Sequence, residues 1–296
     1  MKTKLLLSLL VILLAGCSQL ERGTNILQSW NAKLSGNQTQ PIIENTTINE
    51  TIPEPTGPTW TRITFLDIGQ GDSILIQTEG HNMLIDCGKY SKAINKLKER
   101  SVNSLDYLII THPDFDHLGG CDEVLDNINV GALIMDGSTK DTNAYNEIVS
   151  RRNFTRAEVG QKFSDFGTEF LHANVNSDDS NMNSIVTKVT NGNVSVLLTA
   201  DCDRECEQQI SYINIDSDIL QVPHHGSRYG TTPSLLYRSS PNAAIISVGD
   251  NSYGHPSPEV MTRLIMDFNL DVYRTDFNGD IEIHIENNNY KIKTER

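Results

Sequence analysis

Beyond residue 14 the chain has no apolar run longer than a strand. A bilayer-crossing helix needs about 20 predominantly apolar residues, so none is expected in that part of the chain. Basic residues are also scarce: 24 Lys and Arg face 38 Asp and Glu, a formal charge of −14. The first 58 residues carry four of each sign, so the whole acidic excess lies beyond Pro58. Such a surface lacks the positive footprint of a general duplex binder. It does not exclude metal-assisted chemistry on an anionic group at a local site. Trp30 and Trp60 are the only tryptophans and make no binding platform, and no internal repeat is visible.

The ends carry their own signals. Met1-Lys2-Thr3-Lys4 is basic, and Leu5 to Leu14 is apolar except for Ser8. That run is too short to span a bilayer and has the layout of a secretory signal. It ends in Leu14-Ala15-Gly16-Cys17, which resembles a lipobox. Residues 1–16 are therefore expected to be a signal peptide, with Cys17 lipidated and the protein membrane-anchored and extracytoplasmic, at a cell surface or in a periplasm. Residues 17–58, rich in Thr, Asn and Pro, bury too little to offset the entropy of ordering them and are expected to form a flexible tether. Four further cysteines remain, an even number in an oxidising compartment. Cys202 and Cys206 are one helical turn apart, and Cys87 and Cys121 fall just beyond strand ends or loops, so the pairs expected are Cys202–Cys206 and Cys87–Cys121.

From Trp60 onward, short β-branched runs alternate with Gly, Asn and Asp. Strands are predicted near Ile63–Asp67, Ser73–Gln77, Asn82–Asp86, Leu105–Ile110, Val130–Met135, Ile185–Val189, Val194–Thr199, Ile219–Val222 and Ala243–Val248. A closing hairpin is predicted at Ile281–Ile285 and Tyr290–Lys293. Helices are predicted at Ser91–Arg100, Leu118–Asn127, Asp141–Arg152, Arg204–Tyr212, Pro233–Arg238 and Pro258–Phe268, the last opened by its proline. Asn191-Gly192 marks a tight hairpin. Residues 59–296 thus read as one α/β domain of sheets covered by helices.

The chemistry concentrates in one window. His112, Asp114, Asp116 and His117 follow the apolar strand Tyr107-Leu108-Ile109-Ile110 and precede Leu118-Gly119-Gly120. A loop at a strand's end can turn several side chains toward one point, and imidazole with carboxylate suits Zn²⁺ or Mn²⁺. Downstream, Asp201 ends the strand Val196–Ala200, and His224-His225-Gly226-Ser227 ends Ile219–Val222. His81, His172 and His284 are expected on loop or strand faces instead.

With these pieces placed, the chain resembles the metallo-β-lactamase superfamily, in the branch related to the hydrolase domain of the competence protein ComEC. The matching stretches run from Phe65 to Ser73, Leu84 to Gly88, Thr111 to Gly120, Leu197 to Asp201, Val222 to Ser227 and Tyr253 to Pro256. The resemblance implies a four-layer αββα sandwich holding two divalent metal ions. It places His112 and Asp114 on one ion and Asp116, His117 and one of His224 or His225 on the other, with Asp201 between them. His225 is taken as the ligand and His224 as its neighbour, a choice strand phase leaves open. Two departures from the wider superfamily are usual for this branch: Asp114 stands where a second histidine is common, and Asn181, Asn183 and Ser184 occupy the region of another. Both shift the donors toward oxygen and make Mn²⁺ a fitting ion.

Two cations about 3.5–4 Å apart would activate water and stabilise both oxygens of an in-line displacement. Asp116 and His255 are the catalytic candidates, His255 to protonate the leaving oxygen or hold a phosphate. Gln70, Asp72, Asn183, His224 and Ser227 are expected near ligands or substrate, with Asp67 and Asp86 orienting ligands from behind. The resemblance supplies the substrate class, a phosphodiester such as single-stranded DNA, with no obligate protein partner. The alternatives are another anionic ester or envelope phosphodiester, and a non-catalytic binding protein on the same fold.

Overall fold

The computed structural model describes residues 57–296 apart from 174 and 176. The signal peptide, Cys17 and nearly all of the tether lie outside the described residues. Strands β1 (Trp60–Phe65), β2 (Ile74–Gln77), β3 (Asn82–Ile85), β4 (Ser104–Ile110), β5 (Asn129–Met135) and β6 (Thr155–Arg156) join β14 (Ile281–Glu286) and β15 (Asn289–Thr294) in one sheet. Its order is β15-β14-β1-β2-β3-β4-β5-β6. The second sheet contains β7 (Lys162–Phe163), β8 (Thr168–His172), β9 (Val186–Asn191), β10 (Val194–Leu198), β11 (Ile219–Gln221), β12 (Ala243–Ile246) and β13 (Asp271–Arg274), in the order β13-β12-β11-β10-β9-β8-β7.

Alternation within each strand explains the layers. In β3, Met83 and Ile85 enter the core between the sheets, while Leu84 points to the helices; in β10, Val194, Val196 and Leu198 face inward and Leu197 outward. Helices α1 (Lys92–Glu99), α2 (Phe115–Leu118), α3 (Cys121–Asn127) and α4 (Asn143–Arg151) follow strands of the first sheet. Ala93, Ile94 and Leu97 of α1, Val124 of α3 and Ile148 of α4 cover its outer face. On the second sheet the cover comes from α5 (Arg204–Ile210), α6 (Pro233–Ser239) and α7 (Pro258–Thr262), through Cys206, Ile210, Leu235, Leu236 and Val260. The expected αββα order is therefore the one formed. Each of the buried Val, Leu and Ile side chains among them contributes about 1.5–3 kcal/mol.

Several boundaries differ from the sequence reading. The helix expected from Leu118 breaks at Gly119-Gly120, where Gly120 N donates to the Gly88 carbonyl at 2.9 Å instead of within the helix; Gly120 also packs so closely on the Tyr90 carbonyl that a Cβ there would collide with it. The helix expected to Phe268 runs as α7 and then a π-helical turn, Arg263–Asp267. At the predicted hairpin, Asn191 pairs with Val194, so the turn is Gly192-Asn193, with Gly192 at φ 58°. The short strands β6 and β7, the strands β8 and β13, and α8 (Thr275–Asn278) were not anticipated.

Both expected disulfides form, Cys87–Cys121 across 34 residues of sequence and Cys202–Cys206 across 4. By loop entropy, replacing the first pair with serines is expected to lower unfolding free energy by about 4 kcal/mol and the second by about 2 kcal/mol. Urea melts of the two double variants test the order of these losses.

Asp136, just past β5, is buried with one carboxyl oxygen unpartnered, and burial pushes its pKa from 3.8 up to about 6. The raised value means that the native state holds the extra proton. Stability from this group is thus full below the unfolded pKa and falls as pH rises through about 6. Asp136→Asn is expected to gain on the wild type by up to about 3 kcal/mol as pH rises across that window. A difference between the two melts that stays flat with pH would contradict this.

Candidate metal centre

The two sheets present the C-terminal ends of parallel strands on one side: β3 with β4 in the first, and β10, β11 and β12 in the second. Just past those ends lie Asp86, the loop Thr111–His117, Asp201, the pair His224-His225, and Ser247. Four non-glycine residues there adopt left-handed backbone: Asp86 (φ 58°), Ala200 (φ 47°), His224 (φ 49°) and His225 (φ 54°). Such conformations cost on the order of 1–3 kcal/mol each and persist only when surroundings fix them. Here His224 N donates to the Ala200 carbonyl at 3.0 Å, and Asp86 N donates to the Ile109 carbonyl at 2.8 Å. Gly71 lets the loop after β1 lie against the Asp116 carbonyl, where a Cβ would clash, and Asp72 N donates to that same oxygen at 3.1 Å.

Each imidazole is oriented through one nitrogen. Asp86 accepts from His117 Nδ1 at 2.7 Å and is itself fixed by Thr111 N at 2.8 Å and Thr111 Oγ1 at 2.6 Å. His225 Nδ1 donates to the Ser247 carbonyl at 2.8 Å. His112 Nδ1 lies 3.2 Å from Thr111 Oγ1 and 3.5 Å from Ser184 Oγ. The opposite nitrogens converge on Asp201: His117 Nε2 at 3.2 Å, His225 Nε2 at 3.5 Å and His112 Nε2 at 3.9 Å. Asp116 Oδ2 lies 3.7 Å from His225 Nε2.

These three Nε2 atoms and Asp201 Oδ1 are buried and have no hydrogen-bond partner among the described residues. Buried polar atoms left unpaired are strongly disfavoured unless something else pairs with them. Two overlapping sets, His112 with His117 and Asp201, and Asp116 with His117 and His225, each bring one donor atom per residue within 4.8 Å of one another. Imidazole nitrogens and carboxylate oxygens at that spacing fit divalent cations.

The field agrees with that fit. Burial opposes ionisation of Asp201, yet His117, His225 and His224 hold its carboxyl well below the usual range. Burial likewise disfavours charge on His117, but Asp201 and Asp86 raise its pKa well above 6.5. A field that favours a proton on His117 also favours a cation beside it. His112, buried and next to His117, falls to about 4 and is a neutral donor.

Other expected residues stand differently. Asp114 belongs to neither of these sets and pairs with Lys140 at 2.6 Å. His224 Nε2 lies 3.5 Å from Asp201 Oδ2 while its Nδ1 faces Asn181 at 3.4 Å, so it flanks the centre. Asp72 is buried, accepts from Gln221 Nε2 at 2.6 Å and leaves Oδ1 3.6 Å from His225 Nδ1. It sits behind the ligands rather than on a substrate pocket. Gln70 accepts from Gly249 N at 3.4 Å, and buried Ser227 accepts from Tyr229 N at 3.4 Å, both bracing loops.

Asp67 orients no ligand: it accepts from Gly69 N at 3.3 Å and Arg296 at 3.0 Å, because its loop is drawn toward the closing hairpin. Asn183 closes its own loop, bonding the Ser177 N and carbonyl at 3.0 and 2.9 Å, and so lies outside the centre. His255 is near His224, with ring centroids 5.5 Å apart and a buried, unpartnered Nδ1. Burial, then His224 and His225, lower its pKa to about 4, which makes it a neutral hydrogen-bonding group near pH 7 rather than a charged acid. Gln221, Ser247 and Lys140 were not anticipated from the sequence; their only signal is position, Gln221 as the last residue of β11, Ser247 just past β12 and Lys140 in the loop after β5.

Comparison with known proteins fits this architecture. The model of the metallo-beta-lactamase superfamily matches residues 66–250, and the chain belongs to that superfamily. Its relatives include proteins named for recombination and for competence. ComE operon protein 3 of Bacillus subtilis (strain 168) is 31% identical over 258 residues, covering 76% of this chain and 33% of that protein. Recombination protein 2 of Haemophilus influenzae is 32% identical over 248 residues, covering 81% and 30% respectively. The chain thus spans about a third of the length of these relatives. Among solved structures, the metallo-beta-lactamase fold protein YhfI from Bacillus subtilis superposes with a TM-score of 0.54 at 13% identity, covering 77% of this chain and 100% of that one. That likeness speaks for the fold.

Asp86→Asn keeps the shape but removes the charge that orients His117. It is expected to weaken divalent-metal affinity by about 10- to 100-fold, measured by calorimetric titration of Mn²⁺ and Zn²⁺ into the purified protein.

Proposed function

We propose that this chain is a metal-dependent phosphodiesterase of nuclease type, working with two divalent ions, Mn²⁺ or Zn²⁺, and anchored outside the cytoplasm through a lipid on Cys17. The observation carrying the metal-dependent part is the convergence of three unpartnered imidazole nitrogens on the Asp201 carboxylate, those of His117 and His225 on its unpartnered Oδ1 and that of His112 on Oδ2. In this reading His112 and Asp201 hold one ion, and Asp116, His117 and His225 the other, with Asp201 between them. Asp114 could join only by leaving Lys140. When bound, such ions supply a nucleophile from water near neutral pH and stabilise charge on the attacking and leaving oxygens.

The chain's own residues do the positioning. Asp86 and the Ser247 carbonyl fix the imidazole tautomers so that Nε2 faces inward. Neutral His255 is placed to hydrogen-bond a phosphoryl or leaving oxygen. The phosphodiester substrate is supported by likeness to relatives named for competence and recombination. The acidic surface favours a short or single-stranded substrate met at the site over long duplex. Two disulfides support an oxidising compartment.

Purified protein is expected to hydrolyse bis-p-nitrophenyl phosphate and single-stranded DNA with Mn²⁺, to lose activity with a chelator, and to lose at least about 100-fold in Asp201→Ala. Equal activity in Asp201→Ala, or no hydrolysis of either substrate, would defeat the proposal.

A further inference from the structure

A cavity of about 570 Å³ opens beside Asp116, and its walls include Lys89, Lys140, Phe115 and Tyr253. Two features separate it from ordinary acidic surface. Lys140 and Lys89 stand on the carboxylates of Asp114 and Asp116, at 2.6 and 4.0 Å, so ammonium groups border the candidate metal donors. Tyr253 and Phe115 are large rings left 64% and 43% exposed on that wall.

The loop that carries Tyr253 is held stiffly. Asn251 Nδ2 donates to the carbonyls of Gly249 and His255, both at 2.8 Å, and its Oδ1 accepts from the amides of Tyr253 and His255, both at 3.1 Å. The Tyr253 ring lies 5.7 Å from that of His255 at 33°. On the other wall, Tyr90 braces Phe115 edge-on at 5.4 Å. Preset aromatic faces beside fixed cations are what a nucleotide needs: a ring to stack a base and an ammonium for its phosphate.

We propose that this cavity receives the nucleotide flanking the scissile phosphate of a single-stranded nucleic acid, Lys89 and Lys140 taking its phosphate and Tyr253 and Phe115 its base. The assignment rests on the phosphodiesterase reading above. Its test compares a short oligothymidylate with an abasic strand of equal length, binding being read by fluorescence anisotropy of the full chain in Ca²⁺ and cleavage separately in Mn²⁺.

Tyr253→Ala is expected to lower the ratio of base-bearing to abasic affinity by about fivefold or more, while Tyr212→Ala, an exposed ring two residues beyond α5 that does not line the cavity, leaves it in place. Lys140→Gln is expected to weaken both strands together. An unmoved ratio in Tyr253→Ala, or no binding of either strand by the wild type, overturns the subsite. Binding with the expected ratio change but no cleavage in Mn²⁺ supports the subsite and overturns the phosphodiesterase reading instead.

Discussion

Placing several lone pairs within a few ångströms of one another, away from water and without hydrogens to share, works against folding unless a cation joins them. The centre of this protein is organised around that constraint. Asp201 and three imidazoles meet from two different sheets, so no single element can relax the crowding by shifting alone. The surrounding fold supplies what holds them: left-handed backbone at the strand ends, a second carboxylate, a carbonyl and two hydroxyls on the far sides of the His117, His225 and His112 rings, and a glycine that lets a neighbouring loop lie flat against the His112–His117 turn. The sandwich core, with interdigitating aliphatic side chains from both sheets, gives those loops a stiff foundation.

Much of this was legible in the chain. Alternating β-branched runs such as Val194–Leu198 and apolar strands such as Tyr107–Ile110 announce themselves through side-chain period, and each leads directly into a cluster of donors. The elements that escaped share a different cause. In β8 the buried face is Thr168, Phe170 and His172, two of them polar, so alternation of burial is not alternation of hydrophobicity. β6 and β7 are two residues each, too short for any pattern, and β13 lies at a sheet edge and begins with an aspartate.

The site was legible at the level of residue type and opaque at the level of pairing. His112, Asp116, His117, Asp201 and His225 meet as their spacing after strands implied. Asp114, two residues from His112, looked equivalent to them, yet Lys140 lies 26 positions away in sequence and claims its carboxylate. Asp67 and Asp86 also looked alike, each at the end of an early strand. The chain ties one to its last residue and the other to an imidazole, a difference created by long-range packing. Local sequence can nominate donors; only the assembled fold decides which nominees keep a free lone pair.

The two disulfides sit beside the two halves of the centre: one bond follows Asp86 and anchors the helix behind the His112–His117 loop, and the other begins at the residue after Asp201. Each bond therefore shortens the free length of backbone on its own side of the centre, one beside the loop that leaves the first sheet and one beside the loop that leaves the second, so the two groups of donors are fastened independently of each other.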